Sequence, residues 1–290
     1  MKKILLLGAN GQLGTDVVKI FQNSPLSLTG LTRHEFDADY EDPFVKLAPF
    51  KNYDYLINCI AYHKTDQCEK NFEKSFKING NLVWRLAKFC SRHNLIFVHI
   101  STDYVFDGYK KEPYNENDLP SPLNVYGASK LVGESLIKAY SDKYFVFRVS
   151  SLFGSKVSDD ANINFVEKMV RAAKEGRTLK VIDDQIMSPT HTLDVARALR
   201  FMIENDISDY GIYHCCNGGE CSWYEFANKI FDLTGLENKL IPISYREFHS
   251  TVKRPQYCSM DNSKLSKYYK MPLWTEALEE YLKIKGYIKG

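Results

Sequence analysis

Short, nearly continuous apolar runs alternate with segments of helical periodicity in the first half of the chain. Such runs are typical of buried parallel strands, and they occupy residues 3–7, 26–31, 54–61, 95–100 and 144–149. Apolar residues recur at helical spacing in residues 76–90 and again after Tyr126. Strands that alternate with helices in this way predict an α/β fold with a doubly wound parallel sheet.

The second half of the chain has a looser pattern, which predicts a smaller α/β domain. Its elements are helices at 165–173, 192–205 and 222–234 and strands at 179–182 and 211–216. We therefore expect a first domain over residues 1–150 and a second mainly over 151–290. Some elements from about 178–216 should return to the first sheet.

Two local features of this second half are specific. Ser222 is a suitable N-cap for the helix at 222–234, and Glu225 would complete a capping box with it. The polar stretch at 155–164 predicts a mobile loop.

Ligands of doubly wound sheets bind at the carboxyl ends of the strands. Polar and small residues that should line one crevice there are Gly8, Ala61, Ser101 and Ser150.

Composition excludes several classes of protein. The 290 residues carry a formal net charge of +2, with 44% hydrophobic and 26% charged residues, so we expect neither nucleic acid nor a membrane as a partner. The apolar start ends at Gly8, which is too short for a signal peptide, and no apolar run has the length of a membrane span. The seven cysteines form no C-x-x-C pair and no zinc-type spacing with histidine. We expect a cytoplasmic protein with free thiols.

A glycine-rich segment follows the first predicted strand and precedes a helix. Gly8, Gly11 and Gly14 are spaced as G-x-x-G-x-x-G, and glycines in this context let the backbone approach a pyrophosphate at a helix N-terminus. Arg33 lies after the second strand, where a residue that reads the adenosine ribose is expected. An arginine there can pair with a 2′-phosphate and favours NADP over NAD. A solvated surface arginine is the alternative interpretation.

Tyr126 and Lys130 lie four residues apart at the start of a predicted helix. Residues at this spacing share a helix face, so an ammonium beside the phenol could lower its pKa from 10 to about 7. Tyr126 could then exchange a proton with a carbonyl oxygen at neutral pH. The same spacing is also common by chance, on helices where both side chains are simply exposed.

Several further motifs, taken in chain order, favour a functional role for Tyr126 and Lys130 over a chance spacing. They are GQLG from Gly11, Asn58-Cys-Ile-Ala-Tyr62, STDYVFDG from Ser101, PLNVYGASKLVGE from Pro122, Asp184-Gln185, Ser188-Pro-Thr190, Ser222-Trp-Tyr224 and Arg254-Pro255. With this series the chain resembles the extended short-chain dehydrogenase/reductase superfamily. More narrowly, most of its length is similar to the dTDP-4-dehydrorhamnose reductase family.

The resemblance implies roles for individual residues at the reaction centre. Tyr126 would give a proton to the C4 carbonyl of the substrate, and Lys130 would lower the pKa of Tyr126 and hold the nicotinamide ribose. Thr102 would hydrogen-bond the carbonyl oxygen. The substrate would also contact Asp103 through its sugar, and Lys253 and Arg254 through its diphosphate.

The resemblance also implies a binding site for NADP, with NADPH preferred and NADH as a second usable cofactor. Residues 1–150 would then be an NADP-binding Rossmann domain, and 151–290 mainly a substrate-binding domain. The glycine loop would hold the pyrophosphate through Gly8, Gly11, Gln12, Leu13 and Gly14. The adenosine would meet Arg33, Asp37 and Ala38, and the nicotinamide half would meet Ala61, Tyr62 and His63.

The chain departs from the family pattern at three places. Ser151 stands where typical members have a tryptophan that contacts the sugar, and His63-Lys-Thr-Asp66 replaces smaller, less charged residues. Some members bind a metal through glutamates at a dimer contact. Asp16 and Leu193 occupy two of those positions here, so we expect no metal. We expect Trp223 to belong to the core rather than to the substrate site.

We therefore expect NADPH-dependent reduction of the C4 ketone of a nucleotide-linked 4-keto-6-deoxy sugar, with dTDP-4-dehydro-L-rhamnose as the first candidate. One alternative is a reductase or epimerase of a different nucleotide sugar. Another is a non-catalytic, NADP-binding regulatory subunit. A homodimer is expected by analogy alone.

Overall fold

The strands of the computed structural model form one six-stranded parallel sheet and three two-stranded pairs within the described residues, which are 1–22, 24–154, 163–237, 239–248 and 250–289. The strands are β1 (Lys3–Leu7), β2 (Ser27–Leu31), β3 (Tyr55–Asn58), β4 (Ile96–Thr102), β5 (Tyr144–Val149), β6 (Leu152–Phe153), β7 (Thr178–Ile182), β8 (Ile186–Met187), β9 (Thr190–His191), β10 (Gly211–His214), β11 (Cys221–Ser222) and β12 (Lys239–Ile243).

The helices follow the same chain order. They are α1 (Gln12–Phe21), α2 (Pro43–Lys46), α3 (Thr65–Lys70), α4 (Phe72–Phe76), α5 (Leu82–His93), α6 (Val125–Tyr140), α7 (Phe165–Lys174), α8 (Thr192–Glu204), α9 (Trp223–Thr234), α10 (Ser263–Ser266) and α11 (Trp274–Ile284). A π-helix covers Lys77–Asn81, and 3₁₀ turns cover Ala48–Phe50 and Asp103–Val105. No helix in the described part of the chain is both long and apolar enough to cross a membrane.

The strand order of the main sheet creates a crevice at its carboxyl edge. The order is β10-β5-β4-β3-β1-β2, and all neighbouring strands are parallel. The chain leaves β1 toward β2 and then crosses back to β3 on the other side of β1. Loops that leave neighbouring strands in opposite directions open a crevice between them, so the Gly8 loop and the segment after Asn58 flank it.

Helices cover both faces of the sheet, because strand residues alternate between the two faces. Ile4, Leu6 and Phe147 point to the face covered by α1 and α8. Leu5 and Leu7 point to the other face, where α5 packs. The predicted doubly wound α/β fold is therefore confirmed.

A separate hydrophobic core joins the elements after β5. Val166 and Val170 of α7, Phe226 of α9 and Leu278 of α11 meet there, beside the parallel pair β7–β12. Two later elements lie elsewhere: α8 packs in the core beneath the main sheet, and β10 pairs with β5 at its edge. The binding roles assigned to 1–150 and 151–290 stay predictions.

Most predicted elements are present, with informative differences. The strands at 3–7 and 144–149 have the predicted limits, and the Ser222–Glu225 capping box is confirmed. The strand predicted at 54–61 ends at Asn58, whose side chain accepts a hydrogen bond from the Ile60 amide. The segment predicted as one helix at 76–90 begins as the π-helix before α5. Of the loop predicted at 155–164, residues 155–162 lie outside the described residues.

Candidate functional site

A cleft of about 700 Å³ opens at the carboxyl ends of β1, β3, β4 and β5. The predicted site residues that line it are Gly8, Gly11, Gln12, Leu13, Arg33, Asp37, Ala38, Ala61, Tyr62, His63, Thr102, Asp103, Tyr126, Lys130, Ser151 and Arg254. Ser101 lines it as well, whereas Ser150 does not. The sheet thus brings residues from four strand ends to one cavity.

The glycine loop is shaped for a close approach to a ligand. Gly8 has φ +80°, which favours glycine, and its carbonyl oxygen accepts from the Gly11 amide at 2.9 Å. Gly14 lies beneath the loop rather than in the cleft wall, and a Cβ there would meet the Gly8 oxygen at 2.1 Å. The Nε2 atom of Gln12 is buried and finds no hydrogen-bond partner in the described residues. A free donor beside the N-terminus of α1 fits a pyrophosphate.

Charged residues of both signs surround the expected adenosine end. Arg33 contacts Asp37 at 3.3 Å and Asp39 at 3.4 Å, and Lys74 of α4 contacts Asp39 at 2.8 Å. The amide of Asp39 and the Arg33 guanidinium lower the pKa of Asp37. Lys74 also lines the cleft. The sequence showed no motif for Lys74, because only the packing of α4 beside the cleft gives it this position.

Tyr126 lies in the first turn of α6, which begins after the N-cap Asn124, whose side chain accepts from the Gly127 amide. The expectation that Lys130 brings the pKa of Tyr126 to about 7 is wrong for this structure. Burial of the phenol is the largest effect and raises that pKa above its usual value. Lys130 instead contacts His99 at 2.9 Å and donates to the Ile100 carbonyl at 2.6 Å.

Thr102 and Asp103 are bonded to each other at the end of β4. Thr102 Oγ1 donates to Asp103 Oδ1 at 2.9 Å, and Ser150 Oγ donates to Asp103 Oδ2 at 2.8 Å. Asp103 is buried, which raises the pKa of its carboxyl group. Both carboxyl oxygens therefore have protein donors, and a contact with the sugar would need one of them to be shared.

A buried ion pair supports this strand end from behind. Glu134 accepts from Arg148 Nη2 at 2.7 Å and from Arg148 Nε at 3.0 Å, and both side chains are almost fully buried. The hydroxyl of Ser101 also donates to Glu134. These bonds tie α6, β4 and β5 together, so the elements that carry Thr102 and Lys130 are held rigidly relative to one another.

The expected substrate end combines an unusual backbone with aromatic and basic side chains. Ser151 has φ +42°, a region that few residues other than glycine adopt. Trp223 lines the cleft and packs against Phe165 with ring centroids 4.7 Å apart. Trp223 packs against the core formed by the elements after β5, as expected, and as the first residue of α9 it also lies at the cleft wall. This position makes a contact with the substrate testable.

The two predicted basic contacts differ in position. Arg254 lines the cleft, and its buried Nε has no hydrogen-bond partner in the described residues, although Nη2 lies 3.7 Å from Asp66. A free guanidinium donor fits a diphosphate oxygen. Lys253 is exposed and does not line the cleft. Its carbonyl accepts from the Asn124 side chain, so the backbone rather than the ammonium meets this region.

A group of possible metal ligands lies away from the cleft. His191, Asp194 and Glu280 offer atoms within 4.8 Å of one another. Arg197 already places its guanidinium 2.8 Å from Asp194 and 2.6 Å from Glu280. Asp16 is buried nearby and accepts from the Thr192 hydroxyl, and Leu193 offers no ligand atom. The absence of a metal stays a prediction.

Known proteins resemble this chain over nearly its full length. The model of the RmlD substrate binding domain family matches residues 1–286. The spore coat polysaccharide biosynthesis protein SpsK of Bacillus subtilis is 36% identical, with 97% of each chain covered. The dTDP-4-dehydrorhamnose reductase of Aggregatibacter actinomycetemcomitans is 35% identical, with 91% of this chain and 92% of that one covered.

A solved structure extends the similarity to the fold. The dTDP-4-dehydrorhamnose reductase of Bacillus anthracis, in complex with NADP, superposes with a TM-score of 0.90 at 34% identity. The match covers 97% of this chain and 99% of that one. The likeness therefore includes both the six-stranded sheet and the elements that follow it.

Proposed function

Because the chain belongs to the dTDP-4-dehydrorhamnose reductase family, we propose that it reduces the C4 ketone of a nucleotide-linked 4-keto-6-deoxy sugar with NADPH. The first candidate substrate is dTDP-4-dehydro-L-rhamnose, and the product is then dTDP-L-rhamnose. One observation carries the proposal: Thr102, Tyr126 and Lys130 line the same cleft as the glycine loop.

The described residues fit the cofactor. Gln12 Nε2 would donate to the pyrophosphate, and the close packing of Gly14 on Gly8 leaves the backbone accessible to it. Arg33 and Lys74 would pair with a 2′-phosphate at the adenosine end. Bound NADPH supplies the hydride for C4 of the sugar.

The protein would supply the proton and the orientation. Tyr126 would give its phenolic proton to the C4 oxygen, and its raised pKa keeps that proton in place until the substrate accepts charge. Lys130 in its charged form would stabilise the resulting phenolate. Thr102 would donate to the developing alkoxide, for which it must exchange its bond to Asp103. Arg254 would hold the diphosphate of the substrate.

Three further parts of the prediction belong to this proposal. A cytoplasmic location is supported by the seven cysteines, all of which are free thiols in the structure. A nucleotide sugar as the partner is supported by the family. A homodimer rests on analogy with other proteins.

The test is turnover of freshly prepared dTDP-4-dehydro-L-rhamnose, followed through the loss of NADPH absorbance. We expect Tyr126→Phe to lower kcat by about 10²–10⁴-fold while NADPH affinity is retained. Tyr140→Phe is the matched control, since Tyr140 lies at the far end of the same helix. Equal activity of Tyr126→Phe and the wild type would contradict the proposal.

Two outcomes would select an alternative function. NADPH binding without turnover of this sugar, but with turnover of another nucleotide sugar, would mean that Ser151 and the residues near His63 have changed the sugar pocket. Binding without turnover of any sugar in a panel would favour the non-catalytic NADP-binding subunit.

A further inference from the structure

A chain of buried polar groups runs from the backbone behind the cleft to Lys130. The Ile60 amide donates to Asn58 Oδ1 at 3.0 Å, and Asn58 Nδ2 lies 3.1 Å from His99 Nδ1. His99 Nε2 lies 2.9 Å from Lys130 Nζ, which also donates to the Ile100 carbonyl at 2.6 Å. The side chains of Asn58, His99 and Lys130 are at most 1% exposed. Their hydrogen positions are therefore set by one another.

The Ile60 amide, at one end of this series of hydrogen bonds, determines the direction of every bond in the series. The Ile60 amide can only donate, so the carboxamide oxygen of Asn58 faces it and the NH₂ group faces His99. His99 Nδ1 must then accept, and a neutral imidazole that accepts at Nδ1 carries its proton on Nε2. This Nε2–H points at Lys130, whose nitrogen accepts it only as a neutral amine.

A charged Lys130 does not fit the same contact. An ammonium has no lone pair, so it would place its N–H groups against the Nε2–H of His99. The ring cannot relieve the conflict by becoming charged, because burial and the neighbouring Lys130 hold the pKa of His99 well below its usual value. Burial also lowers the pKa of Lys130 to about 8, in agreement with a contact that favours the amine.

We propose that His99 is a positioning residue that holds Lys130 as a neutral amine away from the reaction, and that Lys130 leaves His99 for the cleft when it takes up a proton. The proton comes from solvent through the cleft, which Lys130 lines. The released ammonium then faces Tyr126 and the site expected for the nicotinamide ribose. The catalytic consequence rests on the proposed function, whereas the state of His99 does not.

Other ionisable groups face Lys130 from each neighbouring element. Cys59 and His63 follow β3, and Tyr126 and Glu134 lie on α6. Burial raises the pKa of Cys59 to about 12 and that of Tyr126 above its usual value, and it lowers that of His63. Glu134 is held by Arg148. We therefore assign an alkaline loss of activity to the deprotonation of Lys130, whose pKa burial lowers to about 8.

The direct test is the tautomer of His99 in the free protein, read from ¹⁵N NMR of histidine-labelled protein about one pH unit above the lowered pKa of Lys130. The His99 signals are assigned by their loss in His99→Gln. We expect the proton on Nε2. A proton on Nδ1 in the wild type would overturn the proposal, and this measurement needs no substrate.

Asn58→Asp is the second test, because a carboxylate can accept from both Ile60 and His99. The His99 proton should then move to Nδ1, and Nε2 becomes an acceptor that binds the Lys130 ammonium. We expect the alkaline limb of the pH profile of kcat to move to higher pH by about one unit, and kcat below that limb to fall, because the ammonium is then held at His99. Asn94→Asp is the control, since Asn94 precedes β4 at the opposite end of the sheet and contacts Lys143. In this variant we expect the alkaline limb of the pH profile of kcat to be unchanged.

The outcomes separate this inference from the proposed function. A folded Asn58→Asp protein with the proton on Nδ1 but an unmoved limb would overturn the coupling to Lys130. If Asn58→Asp does not fold, the tautomer of His99 in the wild-type protein still supports or overturns the proposal. If His99 carries its proton on Nε2 but no nucleotide sugar is reduced, the proposed function fails and the arrangement of His99 and Lys130 stands.

Discussion

Thr102 donates its hydroxyl proton to Asp103 at 2.9 Å, so the residue expected to bind the substrate oxygen is already bonded to a buried carboxyl group. The carboxylate of Asp103 therefore affects both the cleft, through Thr102, and the stability of the fold, because burying its charge costs free energy. Burial raises the pKa of Asp103, which means that the folded protein binds the carboxyl proton more tightly than the unfolded chain does. The stability contributed by this group is therefore fully present at acid pH and is lost as the pH rises through the raised pKa.

Asp103→Asn should remove the loss of stability that accompanies ionisation of Asp103 at higher pH. The amide oxygen can still accept from Thr102, and the amide nitrogen can donate to Ser150. We expect the variant to gain about 1 kcal/mol in unfolding free energy over the wild type at neutral pH, and less at acid pH. Urea unfolding of both proteins at the two pH values measures the difference. An equal difference at both values would show that the charge on Asp103 is not disfavoured.

Gly14→Ala should distort the glycine loop. The new Cβ would lie 2.1 Å from the backbone oxygen of Gly8, which cannot move without displacing β1. We expect a loss of about 1–3 kcal/mol in stability and a clearly weaker affinity for NADPH, measured by fluorescence titration. In the control Gly80→Ala, the Cβ meets only the Val132 side chain at 3.3 Å. Equal NADPH affinity of the two variants would contradict this prediction.

Arg33 and Lys74 should together set the preference for NADPH. Replacing both with alanine removes two cations from the adenosine end, and a charge-assisted hydrogen bond contributes about 1.5–3 kcal/mol. We expect the KM for NADPH to rise roughly 10-fold or more relative to that for NADH. Steady-state rates with both cofactors measure the ratio. Lys46→Ala is the control, because Lys46 pairs with Glu41 outside the cleft; a ratio unchanged in the double variant would show that neither cation reads the 2′-phosphate.

Trp223→Ala should weaken binding of the nucleotide sugar. Its ring lines the same cleft as Ser151, and loss of an aromatic contact is expected to raise the substrate KM roughly 3- to 10-fold. NADPH affinity should stay unchanged. Trp274→Ala is the matched control, since Trp274 packs against Phe226 in the same core but does not line the cleft. Equal substrate KM values in the two variants would place Trp223 in the core alone.

The sequence by itself determined the elements whose signals are local. The limits of β1 and β5 follow from nearly continuous apolar runs, and the start of α9 follows from Ser222 and Glu225, which cap the helix with their own side chains. The glycine loop was visible because strand, glycines and helix are contiguous in the chain. Apolar residues at helical spacing after Tyr126 predicted the helix, and the i, i+4 spacing placed Tyr126 and Lys130 on one face of it.

Only the tertiary structure decided what those residues experience. The pKa of Tyr126 depends on burial by distant segments, and Lys130 meets His99 because β4 packs against α6. Trp223 and Lys74 reach the cleft from helices whose sequences contain no sign of it. Desolvation and long-range contacts arise from residues far apart in the chain, so periodicity and spacing carry no information about them.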